Sequence, residues 1–120
     1  MKALIIEDDQ DLALYLKVLL EEEGFEVKTA HSGGSGLEIA REEVPDLLLL
    51  DINLPTVDGF EICRILKGNE KTEDITIIAV SSREKFSDYA DMAEAGASAF
   101  VGKPVDKEEL LLKINRHLKK

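Results

Sequence analysis

The sequence predicts an α/β fold in which five mostly parallel strands carry helices on both faces. Three observations predict it. Five short apolar runs alternate with five segments of helical periodicity, the pattern of repeated right-handed βαβ units. Gly, Pro and small polar residues fall between them, where turns and caps belong. The chain has 120 residues, 44% hydrophobic and 33% charged. That is one domain's length, enough for a core without disulfide staples, and it fits neither disorder nor a coiled coil.

Ala3–Ile6 is too short for a helix and suits a buried parallel strand. Asp9–Glu23 has helical spacing, with Leu12, Leu16, Leu19 and Leu20 on one face and Gly24 as the stop. Phe25–Thr29 alternates and reads as the second strand. Ser35 and Glu38 form a capping-box pattern that starts a short helix running to about Arg41, although Gly33, Gly34 and Gly36 count against it. After Pro45, the Leu-rich Asp46–Leu50 is the third strand, set apart from a buried helix by its length alone. Leu54–Gly59 is a loop by its Pro55 and Gly59, and Asp58 can cap the next helix, which carries Phe60, Ile62, Ile65 and Leu66. Ile75–Val80 is the β-branched fourth strand, Ser87–Ala95 a short helix stopped at Gly96, and Ala97–Val101 the fifth strand. Val105–Leu118 closes the chain as a helix with Leu110, Leu111, Ile114 and Leu118 on its inner face.

The composition excludes several functions. A net charge of −10 with no Trp argues against direct nucleic-acid binding. Apolar runs reach only about four residues, far short of the roughly 20 a membrane helix needs, and Glu7 follows the first run too soon for a signal peptide. A lone cysteine, Cys63, forbids an intrachain disulfide and fits a reducing, cytoplasmic compartment. The acidic excess lies in the first hundred residues. The end of the chain is basic, with Arg116, Lys119 and Lys120 suited to a helix C-terminus.

In an open parallel sheet, sites form outside the carboxyl ends of the strands. Strand one ends in Glu7-Asp8, strand three in Asp51, strand four in Ser81-Ser82, and strand five near Lys103-Pro104. A parallel sheet would gather all of them at one edge. Three close carboxylates repel one another, and one Lys does not offset them. A hard divalent cation would, and an acidic, oxygen-rich site suits Mg²⁺. One carboxylate could then act as a nucleophile toward a phosphoryl group, with the cation and the lysine stabilising the charge. Taken singly, each residue has a plainer reading: Asp8 or Asp9 as a helix cap, Asp51 in a turn, Ser81 as structural, Lys103 as a solvated loop charge. Their convergence on one edge is what points to a site.

Ile5-Ile6-Glu7-Asp8-Asp9, Leu47–Pro55, Asp58-Gly59, Val80-Ser81-Ser82, Ala95-Gly96-Ala97 and Phe100–Pro104 carry a specific resemblance. By these motifs, in this order and across essentially the whole chain, the sequence resembles a response-regulator receiver domain, the phospho-acceptor module of two-component signalling. The resemblance implies a flavodoxin-like three-layer (βα)5 sandwich with strand order 2-1-3-4-5 and a cis Lys103–Pro104 peptide. It implies that Asp51 accepts a phosphoryl group from a phosphohistidine on a sensor histidine kinase or histidine phosphotransfer protein. It implies Mg²⁺ (or Mn²⁺) held by Asp8 directly, by Glu7 through water, by Asp51, and by the backbone carbonyl of Asn53. Lys103 would pair with a phosphoryl oxygen, and Ser81 and Phe100 would be the switch residues. Ser81 stands where Thr is commoner, and Phe100 lacks the hydroxyl of the Tyr found in part of the family. Asn53 and Arg83 fall at positions that tune dephosphorylation.

Residues 1–120 then form a single receiver domain without an output domain in this chain. It would control a downstream protein, or an output domain fused elsewhere, through the helix 4–strand 5–helix 5 face, which could also support a homodimer. The chain would not be an enzyme beyond its own phosphorylation and dephosphorylation. A haloacid-dehalogenase-type phosphatase needs a second aspartate where Asn53 stands. A degenerate, non-phosphorylating binding module would lack the acidic pair, the acceptor or the lysine, all present here. His31 and His117 read as surface residues without a ligand cluster. Cys63, Met92, Tyr15 and Tyr89 read as packing, and Glu21–Glu23 as a solvated helix end.

Overall fold

The computed structural model describes residues 1–54, 58–82 and 86–118, excepting the side chains of 86–89. Pro55 in the expected loop, Arg83, the Tyr89 side chain, Lys119 and Lys120 lie outside the described residues. The elements alternate throughout: β1 (Lys2–Ile6), α1 (Gln10–Glu22), β2 (Glu26–Ala30), α2 (Gly33–Glu43), β3 (Leu47–Asp51), α3 (Gly59–Lys67), β4 (Thr76–Ser81), α4 (Phe86–Ala95), β5 (Ala99–Gly102) and α5 (Lys107–His117). All strand pairs are parallel, in the order β2-β1-β3-β4-β5. This is the flavodoxin-like (βα)5 sandwich. Among the described residues, no helix is long and apolar enough to cross a membrane.

The strand pleat divides the core in two. Leu4, Ile6, Leu48, Leu50, Ile77 and Ala79 point to one face, packed with Ile62, Cys63, Leu66 and Met92. Ala3, Ile5, Leu47, Leu49, Ile78 and Val80 point to the other, against Leu16, Leu19, Leu20, Leu110 and Ile114. β3 is buried at every residue, as a central parallel strand covered on both faces must be.

Several boundaries depart from the sequence reading, each for a local reason. α2 starts at Gly33, capped by the Ser32 hydroxyl on the Ser35 N–H, so Ser35 lies inside the helix instead of opening it. Of its glycines, Gly36 has a packing reason: a Cβ there would lie 2.5 Å from the Ile6 side chain. β5 begins at Ala99, two residues later than expected, because Ala97 and Ser98 close the turn after α4 through N–H bonds to Met92 and Ile77 carbonyls. α5 begins at Lys107 and ends at His117, inside its expected limits. α1 is capped by Asp9, whose Oδ1 accepts from the N–H groups of Asp11 (3.0 Å) and Leu12 (3.2 Å). Gly24 follows α1 at φ +94°, a left-handed stop. On the outer strand β5, the Phe100 carbonyl is taken by Lys113 Nζ of α5 at 2.6 Å. Cys63 is buried, its thiol pushed up to about 11 by burial, and it donates to the Ala95 carbonyl, so it packs as expected.

α3 approaches the end of β3 closely at Gly59. A Cβ there would lie 2.5 Å from Ile52 Cα and 2.9 Å from the Asp51 carbonyl oxygen. Gly59→Ala is therefore expected to cost about 1–3 kcal/mol through overpacking against backbone. Gly34→Ala, with nothing within 4 Å of its Cβ, should be neutral or gain up to about 1 kcal/mol. Thermal unfolding of the two variants checks this; equal shifts in Tm would show that close approach does not explain Gly59.

Candidate functional site

The carboxyl ends of β1, β3, β4 and β5 meet at one edge, and the backbone fixes their positions before any side chain acts. Glu7 N–H donates to the Ala30 carbonyl (3.0 Å), Ile52 N–H to Val80 (3.2 Å) and Lys103 N–H to Ser81 (2.8 Å). The Lys103–Pro104 peptide is cis, as the resemblance implies. Glu7, Asp8 and Asp51 come together, each offering a carboxylate oxygen within 4.8 Å of the others. Glu7 is 1% exposed and Asp51 2%, whereas Asp8 is exposed.

Lys103 Nζ lies between the two buried acids, 3.1 Å from Glu7 Oε1 and 3.4 Å from Asp51 Oδ2. The other Asp51 oxygen, Oδ1, accepts from the Asn53 N–H at 2.8 Å. Glu7 Oε2 accepts from the Asp9 N–H at 3.2 Å. Burial first, then hydrogen bonding and repulsion with Asp51, push the Glu7 carboxyl up to about 7. Partial desolvation opposes the charge on Asp8, but hydrogen bonding with Asp51 and Glu7 outweighs it and holds that carboxyl below its ordinary value. Burial would lower Lys103, but the Glu7 and Asp51 carboxylates overcome it and raise the ammonium.

Ser81 is fully buried at the end of β4. Phe100, half-buried on β5, packs against the Ile6–Leu50–Ala79 side of the core and lies in register with Ala79, two residues before Ser81 on the same face. The structure thus brings Glu7, Asp8, Asp51, Asn53, Ser81 and Lys103 to one edge and leaves Phe100 two register positions behind Ser81.

Three contacts have no signal in the sequence. Asn53 Nδ2 donates to Ser81 Oγ (3.1 Å) and Ser82 Oγ (3.2 Å). His31 is exposed, as expected, but its Nδ1 lies 3.0 Å from the Glu7 carbonyl and so braces the acidic turn. Each pair joins residues more than twenty positions apart, which no local spacing can reveal.

The donor set is all oxygen and its excess is negative, which suits a hard divalent cation such as Mg²⁺ or Mn²⁺. Asn53 Oδ1 is buried with no donor among the described residues, and a hydrated cation carries the water protons such an acceptor needs.

Residues 3–115 match the family model of the response regulator receiver domain. The chain is similar to Protein PilH of Pseudomonas aeruginosa, 37% identical over 96% of each chain. It is similar to response regulator ArlR of Staphylococcus saprophyticus, 38% identical over 99% of this chain and 53% of ArlR. The chain spans about half the length of ArlR and of other curated relatives it matches. Among solved structures it is similar to a CheY-like receiver domain protein of Methanospirillum hungatei, with TM-score 0.90 and 32% identity over 98% of this chain and 92% of that one. The BeF3-activated receiver domain of RstA from Klebsiella pneumoniae gives TM-score 0.90 and 29% identity over 100% of both chains.

The raised Glu7 makes metal-free stability depend on pH. An acid whose pKa is higher in the folded chain favours folding while protonated. That contribution is whole below about pH 4.5 and is lost as pH rises through about 7. Asp8 acts in the opposite sense, but below its ordinary 3.8, and Lys103 only above 10.5, so neither masks the window. Urea unfolding in EDTA should show wild type losing on the order of 2–3 kcal/mol between pH 5 and 7.5, and Glu7→Gln losing much less. An equal loss in the variant would remove Glu7 as the cause.

Proposed function

The chain belongs to the response regulator receiver domain family of two-component signalling, and from that premise we propose that it is a phospho-acceptor switch with Asp51 as the acceptor. The observation that carries the reading is the buried Asp51 carboxylate, set between Lys103 Nζ and the Asn53 N–H beside two further acids. A carboxylate oxygen of Asp51 attacks the phosphorus of a phosphohistidine on a sensor histidine kinase or histidine phosphotransfer protein. An O–P bond forms, the P–N bond breaks, and the imidazole nitrogen leaves with the electron pair and takes a proton from solvent. Lys103 offers its ammonium to a phosphoryl oxygen as a point charge. Glu7, Asp8, Asp51 and the Asn53 backbone carbonyl would hold Mg²⁺ or Mn²⁺. Bound there, the ion supplies positive charge that offsets the clustered carboxylates and the incoming phosphoryl group.

Phosphorylation leaves a doubly negative group where a singly charged carboxylate stood. The Ser81 hydroxyl gains an acceptor and moves toward it. Ala79, the small residue on the same face between Ser81 and the core, leaves room for Phe100 to turn inward. The face built from α4, β5 and α5 changes shape with it, which biases a two-state element without a new fold. That face would meet a downstream protein, an output domain fused to the receiver, or a second copy. The switch would work in the cytoplasm, and no catalytic turnover of other substrates is part of the proposal.

Intact mass after incubation with acetyl phosphate checks the acceptor. Wild type with Mg²⁺ should gain one phosphoryl group, EDTA should prevent the gain, and Asp51→Asn should abolish it. Stoichiometric, acid-labile uptake by Asp51→Asn would place the acceptor elsewhere.

A further inference from the structure

The side chain of Asn53 joins the ends of two strands. Its Nδ2 reaches the hydroxyls of both Ser81 (3.1 Å) and Ser82 (3.2 Å), while its backbone N–H holds Asp51 Oδ1 (2.8 Å). Successive strand residues point to opposite faces. One carboxamide can touch both serines because Ser82 follows the last residue of β4, where the chain bends away.

The direction of these bonds has a chemical consequence. An amide nitrogen has two N–H donors and no acceptor, so both serine oxygens receive protons from Asn53. Each hydroxyl commits a lone pair to the amide and must aim its own proton elsewhere. Ser81 is fully buried, so few directions remain for that proton. A hydroxyl that accepts a hydrogen bond is also polarised into a better donor.

We infer that Asn53 is a positioning residue that presents the Ser81 O–H as a donor to the phosphoryl group on Asp51. The inference rests on the phospho-acceptor reading. It concerns the side chain of Asn53, separately from the backbone carbonyl assigned to the metal.

A double-mutant cycle tests it. Asn53→Ala keeps the backbone N–H and carbonyl but removes the amide donors. It is made in wild type, in Ser81→Ala and in Ser81→Thr, with Ser81→Gly as a second hydroxyl-free background. Folding of each is followed by circular dichroism and urea unfolding. The readouts are the rate of phosphate uptake from acetyl phosphate with Mg²⁺ and the affinity for BeF3⁻ by ¹⁹F NMR.

Asn53→Ala should lower both about 3- to 10-fold where residue 81 carries a hydroxyl, Ser or Thr. Its effect should be clearly smaller in the Ala and Gly backgrounds, where no proton is left to orient and only the contact of Asn53 Oδ1 with a hydrated cation is lost. The same factor in every background, or no effect in any, overturns the inference while leaving Asp51 as acceptor. Absence of uptake and of BeF3⁻ binding in folded wild type overturns both readings.

Discussion

Among the described residues, two buried carboxylates, Glu7 and Asp51, share one ammonium, that of Lys103. Burying like charges side by side is unfavourable, and Lys103 alone does not neutralise Glu7, Asp8 and Asp51. The fold imposes this arrangement. A parallel sheet sends the carboxyl ends of its strands to one edge, so acids placed after β1 and β3 have to meet. The polar contacts around them follow from that meeting: the Asp9 and Asn53 N–H groups on the carboxylates, and Lys103 itself, set by its backbone bond to Ser81. The same unfavourable charge is what makes the edge receptive to cations.

The rest of the molecule holds that edge still. β3 is buried along its whole length, so Asp51 extends from a strand that cannot shift without disturbing both faces of the core. α3 is seated against the chain just beyond Asp51, where only a glycine fits. Asn53 ties β3 to β4. Asp51 is therefore anchored in the centre of the core, whereas Phe100 lies half-buried on the outer strand beside small Ala79.

The fold was readable because its signals are local. Apolar runs such as Leu47–Leu50 are told from helix by their shortness, and helix spacing such as Leu12, Leu16 and Leu19 needs nothing beyond the segment itself. The misplaced limits came where local capping or tertiary contact overrode propensity, as in α2, which Ser32 caps and where Gly36 makes room for Ile6. For the site, the residue types and their strand-end positions were legible. Their mutual arrangement was not. Nothing in the sequence shows that Glu7 is deeply buried while Asp8 is exposed, that Asn53 turns its amide toward two serines, or that His31 braces Glu7. Those contacts join distant segments and depend on strand order, which came from resemblance and not from periodicity.

The contact between Lys113 and Phe100 sets how the outer margin of the sheet can be used. An open edge strand offers unpaired carbonyls to any passing extended chain. On β5 the Phe100 carbonyl already holds an ammonium that is also paired to Glu109. An added strand would have to displace that charge from the carbonyl. The ammonium thus blunts this margin against the addition of a further strand, as charged side chains do on other sheet edges.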